Sequence, residues 1–262
     1  MHGCLRSLLI VLTLLYGGIG HSGAPVRATF ALHENCSFWM VNLRQGETVA
    51  LMRRLEAGRG YRLFVMGDPH ALAVRCEVLD SLGRVVAVGD EGVRETTVRF
   101  TPNATGVYTL RLSLRAAKGA ARCSMLLSAE QGDWQATVKH WSDAVGRIQQ
   151  AMTALEARGV PVALAERGLC MVGGLTRAGQ AFTIGQLDIG TGAHLWAAAG
   201  DSRVRTLTLR LRCDGKPSEQ IAAGKRLALH AVFSEGVYTP AVSLEAEDGE
   251  AFVIVALFKV QE

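Results

Sequence analysis

Between Val107 and Leu114 the chain alternates, with Val107, Thr109, Arg111 and Ser113 on one side and Tyr108, Leu110, Leu112 and Leu114 on the other. A period of two with one polar face predicts a half-buried strand. Comparable segments run from Leu63 to Met66, Leu72 to Leu79, Arg84 to Val88, Thr96 to Phe100 and Arg122 to Leu127. Turn residues separate them, as in Asp80-Ser81-Leu82-Gly83 and later Asp214-Gly215. Many short strands broken by turns predict a sandwich or barrel. The pattern changes between Gln131 and Gly159. There Trp134, Val138, Trp141, Val145, Ile148, Met152 and Leu155 recur in steps of four and three, which predicts a helix with one apolar stripe. Asp133 is placed to cap its start, and Gly159 with Pro161 to end it. The stripe is expected to pack across the sandwiches; a coiled-coil homodimer, or an external groove or membrane surface, is the alternative.

The strand pattern is written twice. Met40-Val41, Gly46, Leu55 to Gly60, Leu63-Phe64 and Gly67-Asp68 return in order as Met171-Val172, Gly179, Leu187 to Gly192, Leu195-Trp196 and Gly200-Asp201. Asp80 then answers to Asp214, Gly106-Val107-Tyr108-Thr109 to Gly236-Val237-Tyr238-Thr239, Ser113-Leu114 to Ser243-Leu244, and Gly119 to Gly249. Such self-similarity implies two copies of one module. Gly106 and Gly236 are expected where a side chain would be costly.

Gly60-Tyr61-Arg62-Leu63, Gly67-Asp68, Leu79-Asp80, Gly83-Arg84-Val85-Val86-Ala87, and Phe100 followed by Gly106-Val107-Tyr108-Thr109-Leu110 resemble a bacterial pre-peptidase C-terminal (PPC) domain. The resemblance covers about 90 residues of the first copy. It is weaker in the second, where Pro240 interrupts the penultimate strand and Ala193 stands in place of the aromatic Tyr61. It implies a jelly-roll-like β-sandwich of the kind found beside secreted enzymes and in exported proteins. The expected fold is therefore all-β: two tandem jelly-roll-like β-sandwich domains, 24–130 and 167–262, joined by an amphipathic α-helix within 131–166.

Residues 1–23 read as a signal peptide, with Arg6 before the apolar run Leu8 to Tyr16 and small residues Gly17, Gly18, Gly20, Ser22 and Gly23 after it. A secreted or periplasmic protein with no transmembrane segment in the mature chain is expected. Cys36, Cys76, Cys123, Cys170 and Cys213 then remain, an odd number whose pairing is left open. The formal net charge of +4 is spread along the chain without a basic run, so nucleic acid is not the expected partner, whereas an anionic cell-surface polymer is compatible with it.

The candidate chemistry is sparse. Gly200-Asp201-Ser202 is similar to a lipase nucleophile segment, but Gly67-Asp68 occupies the same place in the other copy, so turn chemistry explains both. Asp68, Asp80 and Asp90 are calcium candidates at strand ends, without the D-x-D-x-D spacing of a dedicated loop; otherwise no cofactor is expected. His33, His70, His140, His194 and His230 are scattered, and a Cys–His pair through Cys36 or Cys170 is the remaining catalytic alternative. Trp39, which has no aromatic counterpart in the second copy, is expected first in a buried first strand, with an exposed carbohydrate-stacking platform as its alternative, and Asp90-Glu91 is a candidate binding turn. These readings favour a non-catalytic binding or assembly protein for a protein or cell-surface polymer. A carbohydrate-binding or carbohydrate-active protein is the alternative, and a cryptic hydrolase using Cys36 or Ser202 follows it. What is particular to this protein is expected where the copies differ: Trp39, the Asp90-Glu91 turn, residues 101–105 and the central helix.

Overall fold

The computed structural model describes residues 29–31, 37–130, 135–166 and 168–261. The signal peptide over 1–23, Cys36, His33, Asp133 and Trp134 lie outside them. The fold is mostly β, with antiparallel sheets and one long helix. It divides into two compact units: residues within 1–32 and 40–138, and residues within 33–39 and 139–262.

In the first unit a short pair joins β1 (Thr29–Ala31) to β10 (Gln135–Thr137). The strand β2 (Phe38–Leu43) gives residues 40–43 to this unit. One sheet runs β2, β9 (Ala121–Ala129), β4 (Tyr61–Gly67), β7 (Glu95–Phe100). The other runs β3 (Thr48–Leu55), β8 (Gly106–Ala117), β5 (Ala71–Leu79), β6 (Val85–Val88). The alternation in β8 works as its pattern requires: Tyr108, Leu110, Leu112 and Leu114 are buried, while Val107 is exposed and Thr109 and Arg111 half-exposed. Ser113 is buried too, because its hydroxyl meets that of Thr48 across the strand pair at 2.8 Å.

The second unit has a comparable strand order, with two short strands where the first has β3 and an additional strand on one sheet. One sheet runs β12 (Gly168–Arg177), β20 (Glu250–Val260), β15 (His194–Gly200), β18 (Leu227–Val232), with β11 (Val162–Leu164) also on β20. The other runs β13 (Phe182–Thr183) and β14 (Leu187–Ile189) on β19 (Gly236–Ala246), then β16 (Val204–Cys213) and β17 (Gln220–Gly224). Local hydrogen bonds repeat as well. The amides of Gly67 and Gly200 donate to the carbonyls of Arg94 and Arg226, and those of Asp68 and Asp201 to the carbonyls of Arg122 and Phe252. Tyr108 and Tyr238 each donate their hydroxyl to the carbonyl four residues upstream, Ala104 at 2.9 Å and Ser234 at 3.0 Å.

Two expectations need correction. The helix α1 covers Val138–Glu156, not the whole of 131–159, because residues 135–137 pair with β1 as a strand. Its buried face is Trp141, Ala144, Ile148 and Met152, with Val145 and Leu155 half-exposed. Trp141 stacks on Phe252 at 4.6 Å and meets Phe38 edge-on at 4.7 Å, so this face packs within the second unit. The helix ends as expected: Gly159 has φ 78°, and the bonds from Val160 to Leu155 and Gly159 to Glu156 close a Schellman turn. Secondly, Gly106 has neither a left-handed φ nor any atom within 4 Å of an added Cβ. Only Gly236, at φ 149° and with Cys213 Sγ at 3.0 Å from such a Cβ, is tightly constrained.

Candidate functional site

Most residues singled out from sequence are engaged in holding turns or filling cores. Trp39 is 1% exposed, as is Trp196, and Tyr238 is fully buried. None offers a face on which a sugar could stack, which corrects the platform alternative for Trp39. Asp68 Oδ1 accepts from the amides of His70 and Ala71. Asp80 Oδ1 accepts from Leu82 and Arg84, and its Oδ2 pairs with the Arg84 guanidinium. The Arg84 amide, then the Arg84 side chain and the Leu82 amide, hold the Asp80 carboxyl below its ordinary value. Exposed Asp90 donates its amide to Thr96 Oγ1, and Glu91 pairs with Arg75. Asp68, Asp80 and Asp90 are not brought together, and among the described residues no three His, Cys, Asp or Glu side chains converge as a metal site would need.

The nucleophile candidates are likewise placed by structure. Cys76, Cys123, Cys170 and Cys213 are buried, and no disulfide joins any two of them. Burial, with Glu77 beside one and Asp68 beside the other, pushes the Cys76 and Cys123 thiols up to about 12. His194 Nδ1 meets the Gly192 carbonyl and His230 Nε2 the Gln220 amide oxygen, both at 3.1 Å.

The structure instead assembles a groove that no local motif announces. It lies in the second unit between α1 and the first residues of β16 and β18, is an open groove of about 810 Å³, and is lined by Arg147, Gln150, Val204, Arg205, Lys225 and Arg226, with Ala151 and Leu227. It borders the turn from Gly200 to Val204, whose last residue lines it. Asp201, wholly buried, locks that turn by accepting from the amides of Arg203 at 2.8 Å and Phe252 at 3.0 Å and from the Arg203 guanidinium. Gly200 is obligatory there, since a Cβ would lie 2.3 Å from Val204 Cγ2. The two ends of the turn then aim two arginines: Arg147 Nε donates to the Gly200 carbonyl at 3.1 Å, and Arg226 Nε to the Val204 carbonyl at 2.9 Å. Their terminal nitrogens remain for other partners.

The electrostatics are one-sided. No acidic residue lines the groove. Arg147, Lys225 and Arg226 make no ion pair among the described residues, and Arg205 has only a loose contact with Glu247 at 3.7 Å. Near the same turn, burial and then the charge of Arg203 hold His140 below its ordinary value. Cations gathered in a cleft repel one another and give it a positive potential.

No protein-family model matches the chain, and no curated protein matches it. Solved structures with some likeness include an IolB-like protein from Salmonella typhimurium LT2, at 12% identity over 85% of this chain and 82% of that one, with a TM-score of 0.24. The PBSX exported protein XepA shares 8% over 91% and 89%, with a TM-score of 0.27. An oxalate decarboxylase variant from Bacillus subtilis shares 11% over 91% and 78%, with a TM-score of 0.20. Overlays this loose carry no argument about what the chain does.

Sequence reading missed the groove because its cations come from separate segments: Arg147 on a helix, Arg205 at a strand start, and Lys225-Arg226 in a turn. The only local signal is the adjacent pair Lys225-Arg226. A second cavity in this unit, beside Leu187, Trp196 and Val255, encloses about 10 Å³, room for one water and no ligand.

Proposed function

We propose that this protein is an exported, non-catalytic binding protein whose ligand is an anionic cell-surface polymer held in the groove of the second unit. The observation that carries this reading is the convergence of Arg147, Arg205, Lys225 and Arg226 on a cleft without a carboxylate. Export rests on the signal peptide read over 1–23; among the described residues no helix is long and apolar enough to cross a membrane. The two units are tandem copies of one jelly-roll-like, PPC-like sandwich. Supporting this are the comparable strand order in each, the paired Gly-Asp turns and the paired tyrosine hydroxyl bonds. The carbohydrate-binding alternative loses Trp39, Trp196 and Tyr238 as stacking faces, since all three are buried, and keeps Phe233, which is 79% exposed. The test is retention of the full chain on immobilised heparin against neutral dextran at rising salt. Retention on heparin alone, weakened at least ten-fold by the pair Arg147→Gln and Arg226→Gln with the fold intact by circular dichroism, is the expected result. Equal behaviour of the pair and the parent chain overturns the groove as the site.

A further inference from the structure

Resting on that reading, the geometry points to one ligand class for the groove: a saccharide carrying tetrahedral oxyanion esters, phosphate or sulfate, in preference to a polycarboxylate. A free arginine on a surface swings widely, but Arg147 and Arg226 are each fixed through Nε to opposite ends of one five-residue turn. That turn is itself held by the buried Asp201 carboxylate. Two forks thus face one cleft from a rigid base, with Lys225 and Arg205 beside them.

A carboxylate presents two coplanar oxygens and one charge, which a single guanidinium saturates. A phosphate or sulfate ester presents three oxygens in different planes, and a phosphomonoester carries about two charges near neutral pH. A tetrahedral group therefore offers two anchored forks one more acceptor oxygen than a carboxylate does, in directions a planar group does not reach. Four lining cations without a lining acid favour the group that concentrates the most charge at one point, which a phosphomonoester does and a row of spaced carboxylates does not. The remaining surface fits a hydroxylated scaffold. Gln150 offers an amide with no hydrogen-bond partner among the described residues, and Ala151, Val204 and Leu227 provide small apolar surface against which ring C–H groups can lie. The groove has no aromatic lining residue, so it lacks the stacking platform that single-stranded nucleic acid would use.

The corresponding turn of the first unit sharpens the assignment. Asp68 likewise accepts the amide two residues on, and Arg94 occupies the place of Arg226, yet no hydrogen bond ties the Arg94 side chain to that turn among the described residues. The site is a specialisation of the second unit and of α1.

Titration calorimetry of the full chain with glucose 1-phosphate, a heparin-derived tetrasaccharide, tetragalacturonate and a dT8 oligonucleotide tests this. The expected result is binding of the phosphosugar or the sulfated tetrasaccharide at least ten-fold tighter than tetragalacturonate and the oligonucleotide, with the tighter of the two esters naming the source. Arg147→Lys, which keeps the charge and loses the fork, is expected to erase that preference while tetragalacturonate binding changes less than two-fold. Equal affinity for tetragalacturonate, or tightest binding of dT8, overturns the ligand class while leaving an anion-binding groove. Failure of all four probes overturns both.

Discussion

Arg147 on α1 donates from Nε to the carbonyl of Gly200 at the end of β15, 3.1 Å away, and so carries a helix charge onto a sandwich turn. The contact explains why a groove exists here: it aims the guanidinium into the cleft and satisfies a carbonyl that a turn would otherwise leave to water. Arg226 does the same for Val204.

Replacing Arg226 by Ala is expected to lower anion affinity at least ten-fold and to cost about 1 kcal/mol of stability, since one charge-assisted bond to a half-buried carbonyl is lost. Urea denaturation and calorimetry on the same preparation separate the two effects. A drop in affinity matched by a collapse in stability would count against a binding role.

Glycine placement gives a sharper contrast. In Gly67→Ala the new Cβ meets Ala71 Cβ at 2.2 Å, an atom fixed to the backbone, and about 2 kcal/mol is expected to be lost. Gly106→Ala meets nothing within 4 Å and is expected to be neutral or to add about 0.5 kcal/mol through the unfolded chain. Equal destabilisation by both would restore the sequence-based view of Gly106.

Tyr238→Phe removes the hydroxyl that donates to the Ser234 carbonyl and meets Ser234 Oγ at 2.7 Å, in a fully buried position. A loss of about 1–2 kcal/mol is expected, with about 1 kcal/mol for Tyr108→Phe, whose hydroxyl bonds Ala104 alone. Thermal unfolding of the two variants reads the difference.

Glu77 supplies a pH dependence. Burial pushes its carboxyl up, but hydrogen bonds and charge from Arg75 and Arg111 outweigh that and hold it below its ordinary value. The third charged group on this face is Glu91, which pairs with Arg75. A carboxyl depressed in the folded state stabilises above its unfolded value, about 4.3, and that contribution is lost as pH falls through the lower folded value. Stability should therefore drop as pH falls below about 4.3, and Glu77→Gln should flatten that part of the profile while costing about 1–2 kcal/mol at pH 7. An unchanged acid limb in the variant would remove Glu77 from the account.

The thiols of Cys76 and Cys123, pushed up to about 12, should resist a maleimide at pH 7.5 for as long as the chain is folded and react at once in 6 M guanidinium. Fast labelling of the native protein would mean that these cores open readily.

Legibility from sequence followed the range of the interactions. The β8 alternation and the Gly159 helix stop were readable because each rests on contacts within a few residues or on a fixed period. The Gly200-Asp201 turn was readable as turn chemistry for the same reason, since Asp201 accepts the amide of Arg203 two residues on. The start of α1 was misplaced because residues 135–137 are claimed by β1, more than 100 residues upstream, and long-range pairing overrides a helical period. Trp39 could not be assigned a side from its neighbours, because every residue of β2 is buried and the strand shows no alternation to read.

Sequence by itself determined the elements: strands by period, turns by Gly and Asp, one amphipathic helix, and the order in which the pattern recurs. Tertiary structure alone decided the candidate site. Cations at 147, 205 and 225–226 are strangers along the chain, and they become neighbours only when α1 lies beside β16 and β18. Charge acts through space, so a site made of charge is visible only once the distances are set.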